Sequence, residues 1–154
     1  MTAFLGADID QTFTSLDEGK TPALGNVVWI QNKAYKFVQY KEATAATDGV
    51  AGEVAYYYTL DGYKNNQVTS DLSDSVEVGA GVLVSNMSED EYGWIQIKGP
   101  ATLTIALTAG ADGDPLTPTG AGDGTLDVSA LVTDNVCAIA GDASDNEIIC
   151  DFPF

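Results

Sequence analysis

The chain has 154 residues and a net charge of −17, from 23 acidic side chains against six lysines, with no arginine and no histidine. That balance repels phosphate backbones and anionic bilayers, and the missing histidine rules out Ser-His-Asp and Cys-His nucleophile systems and any mixed Cys/His metal site. The expectation is one β-rich domain with a single core, no enzyme activity, no cofactor, and neither nucleic acid nor membrane as partner. The charge is uneven: residues 1–66 hold five lysines against eight acids, a balance of −3, and residues 67–154 hold one lysine against fifteen acids, a balance of −14.

From the start, Met1 to Asp10 carries no basic cluster and no apolar run of the length a signal peptide or span needs, so synthesis in the cytoplasm is expected. Residues 1–24 are mostly polar, with apolar side chains scattered at Phe4, Leu5, Ile9, Phe13 and Leu16. They read as an extended arm ahead of a β domain at 25–154, or equally as an edge strand of that domain. From Gly25 the pattern sharpens into Val27–Ile30, a Gln31-Asn32-Lys33 turn and Tyr35–Tyr40, a hairpin rich in aromatic and branched residues. Residues 42–51 read as a loop or a single helical turn. Val54–Leu60 then gives a strand closing on Asp61-Gly62, a turn dipeptide.

That strand contains Tyr56-Tyr57-Tyr58. A tyrosine cluster can be a stacking platform for sugars or bases, but no basic groove accompanies it, which favours tyrosines packed inward or against a subunit neighbour. Residues 68–81 alternate weakly, and Val82-Leu83-Val84 reads as a short buried strand. Glu89-Asp90-Glu91 marks a solvated corner leading into Tyr92–Leu107, the stretch on which the core is expected to be built. There the alternation of Ile95 and Ile97, then Leu103, Ile105 and Leu107, predicts a hairpin turning at Gly99-Pro100-Ala101.

Residues 108–124 are rich in Gly, Pro, Thr and Asp and read as a long surface loop. Asp112, Asp114 and Asp123 on that loop put three carboxylates where a hard cation would find oxygen ligands, yet the spacing matches no calcium-loop pattern, and turn formation by Asp-Gly pairs explains them without an ion. The end returns to strand, Val136–Ala140 and Glu147–Phe152. If Ile139 faces Ile148, Cys137 faces Cys150; the pair is expected as two buried free thiols. Eight or nine short strands without an amphipathic helix predict an all-β, mainly antiparallel sandwich or barrel-like domain. Carboxylates alone would suffice for a glycosidase, but nothing in the sequence pairs two of them across a cleft.

Two stretches together resemble the capsid decoration, or cement, proteins of tailed bacteriophages. One is Leu24-Gly25-Asn26-Val27-Val28 followed by Tyr35-Lys36-Phe37-Val38-Gln39. The other is Ala80-Gly81-Val82-Leu83-Val84 and Tyr92-Gly93-Trp94-Ile95-Gln96-Ile97-Lys98-Gly99-Pro100, with Asp127-Val128 and the acidic C-terminal hairpin after it. The resemblance implies a non-enzymatic all-β virion protein on the capsid exterior, a homotrimer whose partner is the major capsid protein. On that footing the less charged first half supplies the expected docking surface, through Phe4, Leu5, Ile9, Phe13, Leu16, Lys20, Lys33 and Lys36. The competing expectation is a tail or fibre module that binds a carbohydrate receptor.

Overall fold

The computed structural model describes residues 7–17, 19–42, 47–59 and 61–154. Phe4 and Leu5, and the middle of the 42–51 segment, lie outside the described residues. Ten strands form one continuous, mixed, all-β sheet among them: β1 (Val27–Ile30), β2 (Lys33–Tyr40), β3 (Val54–Tyr58), β4 (Gln67–Thr69), β5 (Ser75–Leu83), β6 (Tyr92–Thr102), β7 (Pro115–Thr117), β8 (Asp127–Val128), β9 (Ala138–Asp142) and β10 (Glu147–Asp151). A one-turn helix, α1 (Gly62–Asn65), follows Asp61, which takes a left-handed conformation at φ 70°.

The pairings close five of these strands into a ring. Strand β2 runs parallel to β4, β4 pairs with β3, β3 with β5, β5 with β6, and β6 returns to β2. Closure removes the sheet edges that a five-stranded open sheet would expose. The barrel-like expectation therefore holds, with a parallel β2–β4 contact in an otherwise antiparallel set. β1 folds back on β2 through the expected tight turn, where Gln31 has φ 56°.

Strand β6 does not turn at Gly99-Pro100-Ala101. It runs eleven residues straight through them, and the expected hairpin with Leu103 and Ile105 is absent. Its first half lies in the barrel between β2 and β5, and its second half pairs with β10, placing Cys150 opposite Gly99 and Ile149 opposite Pro100. Two local features let a strand pass a proline. Gly99 sits at φ 90°, where a Cβ would stand 2.4 Å from the Asn32 carbonyl oxygen, and the buried Gln96 amide donates to the Lys98 and Pro100 carbonyls at 3.1 and 2.8 Å. From β6 the sheet extends outward as β10, β9, β7 and β8. Pro115–Thr117 is thus a strand inside what the sequence suggests is only a loop, and Ile105 lies outside any strand.

Side chains of Val38, Tyr40, Val54, Tyr56, Leu83, Ile95 and Ile97 fill the interior, continuous with Leu116, Ala138, Ile148, Cys150 and Phe152 beneath the outer sheet. On the outside of the β2–β6 pair a second cluster of Tyr35, Phe37 and Trp94 is covered by Ala7, Ile9 and Phe13 from the N-terminal segment. Phe13 and Tyr92 exchange both backbone hydrogen bonds at 2.8 Å, and the Ser85 hydroxyl donates to the Asp10 carbonyl at 2.8 Å.

Candidate interaction surface

The outer sheet presents a face to solvent that its register builds. Cross-strand partners point to the same side of a sheet, and the registers align Pro100 of β6, Ile149 of β10, Ile139 of β9 and Pro115 of β7 in one row. All four are exposed, Ile149 by 50% and Ile139 by 43%. At about 4.8 Å per strand the row spans about 14 Å. Polar neighbours flank it: the Lys98–Asp151 ion pair at 2.6 Å on one side, and Thr102, Glu147 and Asp142 on the other.

This face corrects the expected register of the last hairpin. Ile139 pairs with Ile149, not with Ile148, and Cys150 pairs with Ala138, so Cys137 does not face Cys150. The one-residue difference puts Ala138, Ala140, Ile148 and Cys150 inward and sends both exposed isoleucines out. Both cysteines are free and buried; burial pushes the Cys150 thiol up to about 12 and raises Cys137 as well.

Beside this face the segment between β8 and β9 forms an apolar knob. Leu131 is 65% exposed and Val132 fully so. The knob is braced from below by Asp134, whose carboxylate accepts from the Leu131 and Ala130 amides at 2.8 and 2.9 Å and from the Ser129 hydroxyl at 3.3 Å. Those bonds, the Leu131 amide foremost, hold its carboxyl below the usual carboxylate range. Immediately after the knob, Asp134 to Cys137 form one wall of a cleft of about 540 Å³ whose other walls include Val78, Phe152, Pro153 and the Lys98–Asp151 pair.

The residues expected to dock are dispersed. Ile9 and Phe13 come together, but against their own chain's Phe37 and Trp94, with the Phe13 ring edge-on to Phe37 at 5.9 Å. Leu16 is exposed, and Lys20 pairs with Asp17 at 3.0 Å. Lys33 lies next to Gly99, its Cγ 3.1 Å from where a Gly99 Cβ would stand. Lys36 is not on the surface at all. It is 4% exposed and points into the barrel with Ala34 and Val38, because Tyr35 and Phe37 take the outer face. Its ammonium donates to the Tyr57 hydroxyl at 3.0 Å and lies 5.3 and 5.5 Å from the ring centroids of Tyr57 and Tyr63, with no carboxylate at ion-pair distance among the described residues. Burial lowers its pKa.

The tyrosine run is core rather than platform at its first two positions. Tyr56 and Tyr57 are fully buried; the Tyr56 hydroxyl donates to the Gly122 carbonyl at 3.0 Å and accepts from the Thr125 amide at 3.0 Å. Asp112, Asp114 and Asp123 each accept from a different backbone amide, of Ala143, Ala111 and Leu72. Among the described residues no three His, Cys, Asp or Glu side chains are grouped to hold a metal, and no helix is long and apolar enough to cross a membrane.

The apolar row is not legible in the sequence, because Glu147-Ile148-Ile149-Cys150-Asp151 has an apolar residue on each face and alternation alone does not say which isoleucine is inside. The flanking charges were the usable signal: Glu147 and Asp151 share a face with Ile149, which marks that face as solvent. Compared with known protein families, with curated proteins and with solved structures, the chain shows no match.

Proposed function

We propose that this chain is a structural virion protein, a decoration or cement protein that binds the outer surface of a bacteriophage capsid as a homotrimer and stabilises the head, with the major capsid protein as its partner. The observation that carries a docking role is the row Pro100–Ile149–Ile139–Pro115 on a sheet whose reverse side is packed core. Isolated exposed apolar residues are ordinary, whereas a contiguous row on a rigid face, rimmed by polar residues, has the form of an interaction surface. The resemblance in the two aromatic strand segments supplies the shell as partner, and the net charge of −17 turns the protein away from the packaged genome.

The docking surface is assigned to this row, not to the N-terminal segment. Ile9 and Phe13 already cover Phe37 and Trp94, and Lys36 is interior. The test is co-sedimentation with purified undecorated heads. The wild-type chain should pellet with heads and raise their resistance to heat, and Ile139→Asp/Ile149→Asp should weaken binding at least tenfold, the loss expected when a charge replaces a central apolar anchor. If the wild-type chain neither pellets with heads nor protects them, the capsid role is wrong; retention on host cells or a glycan matrix instead would point to receptor binding.

A further inference from the structure

We infer that Lys36 and Tyr57 form the floor of a small-molecule site, roofed by Tyr63, whose ligand is a monocarboxylate carried on a ring. The inference goes beyond the capsid reading and does not depend on it.

Two buried groups converge here with hydrogens unspent. An ammonium carries three donors, and that of Lys36, a residue 4% exposed, spends one of them, on the Tyr57 hydroxyl at 3.0 Å. The hydroxyl of the fully buried Tyr57 is the acceptor in that bond, and its own proton has no acceptor among the described residues. Buried donors are normally satisfied, and a buried charge is normally met by one of opposite sign. The four ion pairs among the described residues use Lys20, Lys41 and Lys98, and none involves Lys36. A ligand carboxylate answers both needs. It brings the missing negative charge, and its two oxygens accept one bond each from the ammonium and the hydroxyl.

The ammonium lies one aromatic ring from solvent. The Tyr63 ring centroid is 5.5 Å from Lys36 Nζ, yet Tyr63 is 58% exposed. Tyr63 sits on the one-turn helix α1, edge-on to the Tyr57 ring at 4.9 Å, and its hydroxyl makes a single long bond, 3.3 Å, to a main-chain oxygen of Phe154. Rotation of this exposed side chain opens the floor without displacing the core.

The rings define what carries the carboxylate. Trp29 pairs with Ala34 in the β1–β2 register, which makes it the diagonal neighbour of Lys36 on the same side of that pair. At 59% exposure it is a second open ring beside the site, and two open aromatic faces suit a ligand that has a flat apolar face of its own. Charge sets the upper limit: a chain at −17 repels a polyanion at long range, whereas one carboxylate is neutralised by Lys36 itself. An aromatic acid and a sugar acid share this chemistry.

Nuclear magnetic resonance titration of the 15N-labelled full chain tests the site. Benzoate or glucuronate should move the Trp29 indole and the Tyr57 and Tyr63 amide resonances saturably, and the tighter of the two names an aromatic or a sugar acid as the source. Benzamide, a ring without the charge, and acetate, the charge without a ring, should each bind at least about tenfold more weakly than that acid. Lys36→Met should abolish the shifts with an unchanged far-ultraviolet circular dichroism spectrum. Tyr57→Phe, which keeps the ring and removes the hydroxyl, should weaken binding about tenfold and decides the matter if Lys36→Met does not fold. No saturable shift with either ring acid, benzamide as tight as benzoate, or a folded Lys36→Met or Tyr57→Phe chain that binds like wild type would overturn the inference. Acetate as tight as the ring acids would overturn the part assigned to Tyr63 and Trp29.

Discussion

Substituting Phe13 by alanine decides whether the N-terminal segment belongs to the domain or waits for a neighbour. Full truncation of a buried phenylalanine costs about 3–5 kcal/mol, and the half-buried Phe13 should lose about half of that, about 2 kcal/mol. Losing the edge-on contact with Phe37 adds about 0.5–1 kcal/mol, while the two backbone bonds to Tyr92 survive. The sum is about 2.5 kcal/mol, which at a urea slope of about 2 kcal/mol per molar moves the midpoint down by roughly 1.2 M. Equilibrium urea unfolding followed by tryptophan fluorescence is the assay, since Trp94 lies in the same cluster. Leu16→Ala is the control; it is exposed and should stay within about 0.5 kcal/mol of wild type. A Phe13→Ala midpoint no lower than that of Leu16→Ala would refute the assignment and return Phe13 to the set of residues free to clamp another subunit.

Burial depresses the Lys36 pKa, so between that lowered value and the ordinary lysine value of about 10.5 the unfolded chain binds more protons than the folded one. The cost of the buried charge is therefore full at low pH and fades as pH rises through that window; Lys36→Met/Tyr57→Phe should be more stable than wild type by about 1 kcal/mol at neutral pH, with the advantage shrinking in urea melts at alkaline pH. Gly81→Ala would set a Cβ 2.8 Å from the Gln96 carbonyl oxygen and 3.0 Å from the Ile95 Cβ, forcing β5 away from β6. It should cost about 1–3 kcal/mol and lower Tm by roughly 5 °C in a thermal melt. The two buried thiols should resist labelling in the native chain near pH 8 and react fully, two per chain, on denaturation without reductant; finding none would mean a disulfide.

The strand periodicity of Val27–Tyr40, Val54–Tyr58 and Tyr92–Ile97 was legible because branched and aromatic residues there leave no competing helix pattern. The ring closure was not, since it depends on the parallel contact of Gln39 and Tyr40 with Gln67 and Val68, which no local signal encodes. Pro100 misled for a different reason: a proline after glycine commonly marks a turn, and only the Gln96 amide and the arriving β10 strand make a continuous strand tolerable there. Lys36 was misplaced because its type argues for a surface, whereas its position between Tyr35 and Phe37 forces it inward once the N-terminal segment buries those two rings. The exposed apolar row depends on a one-residue register between β9 and β10, the quantity that sequence alternation constrains least when both faces carry isoleucine.

The sharing of β6 between the closed ring and the outer sheet also orders events during synthesis. All strands of the ring lie within residues 27–102, so the barrel can close while β7 to β10 are still to be made. Until β10 arrives, residues 98–102 of β6 offer unpaired backbone donors and acceptors to any passing strand. On the nascent chain, therefore, the vulnerable stretch is the far end of β6, and β10, which follows it in chain order after β7, β8 and β9, is the strand that covers it.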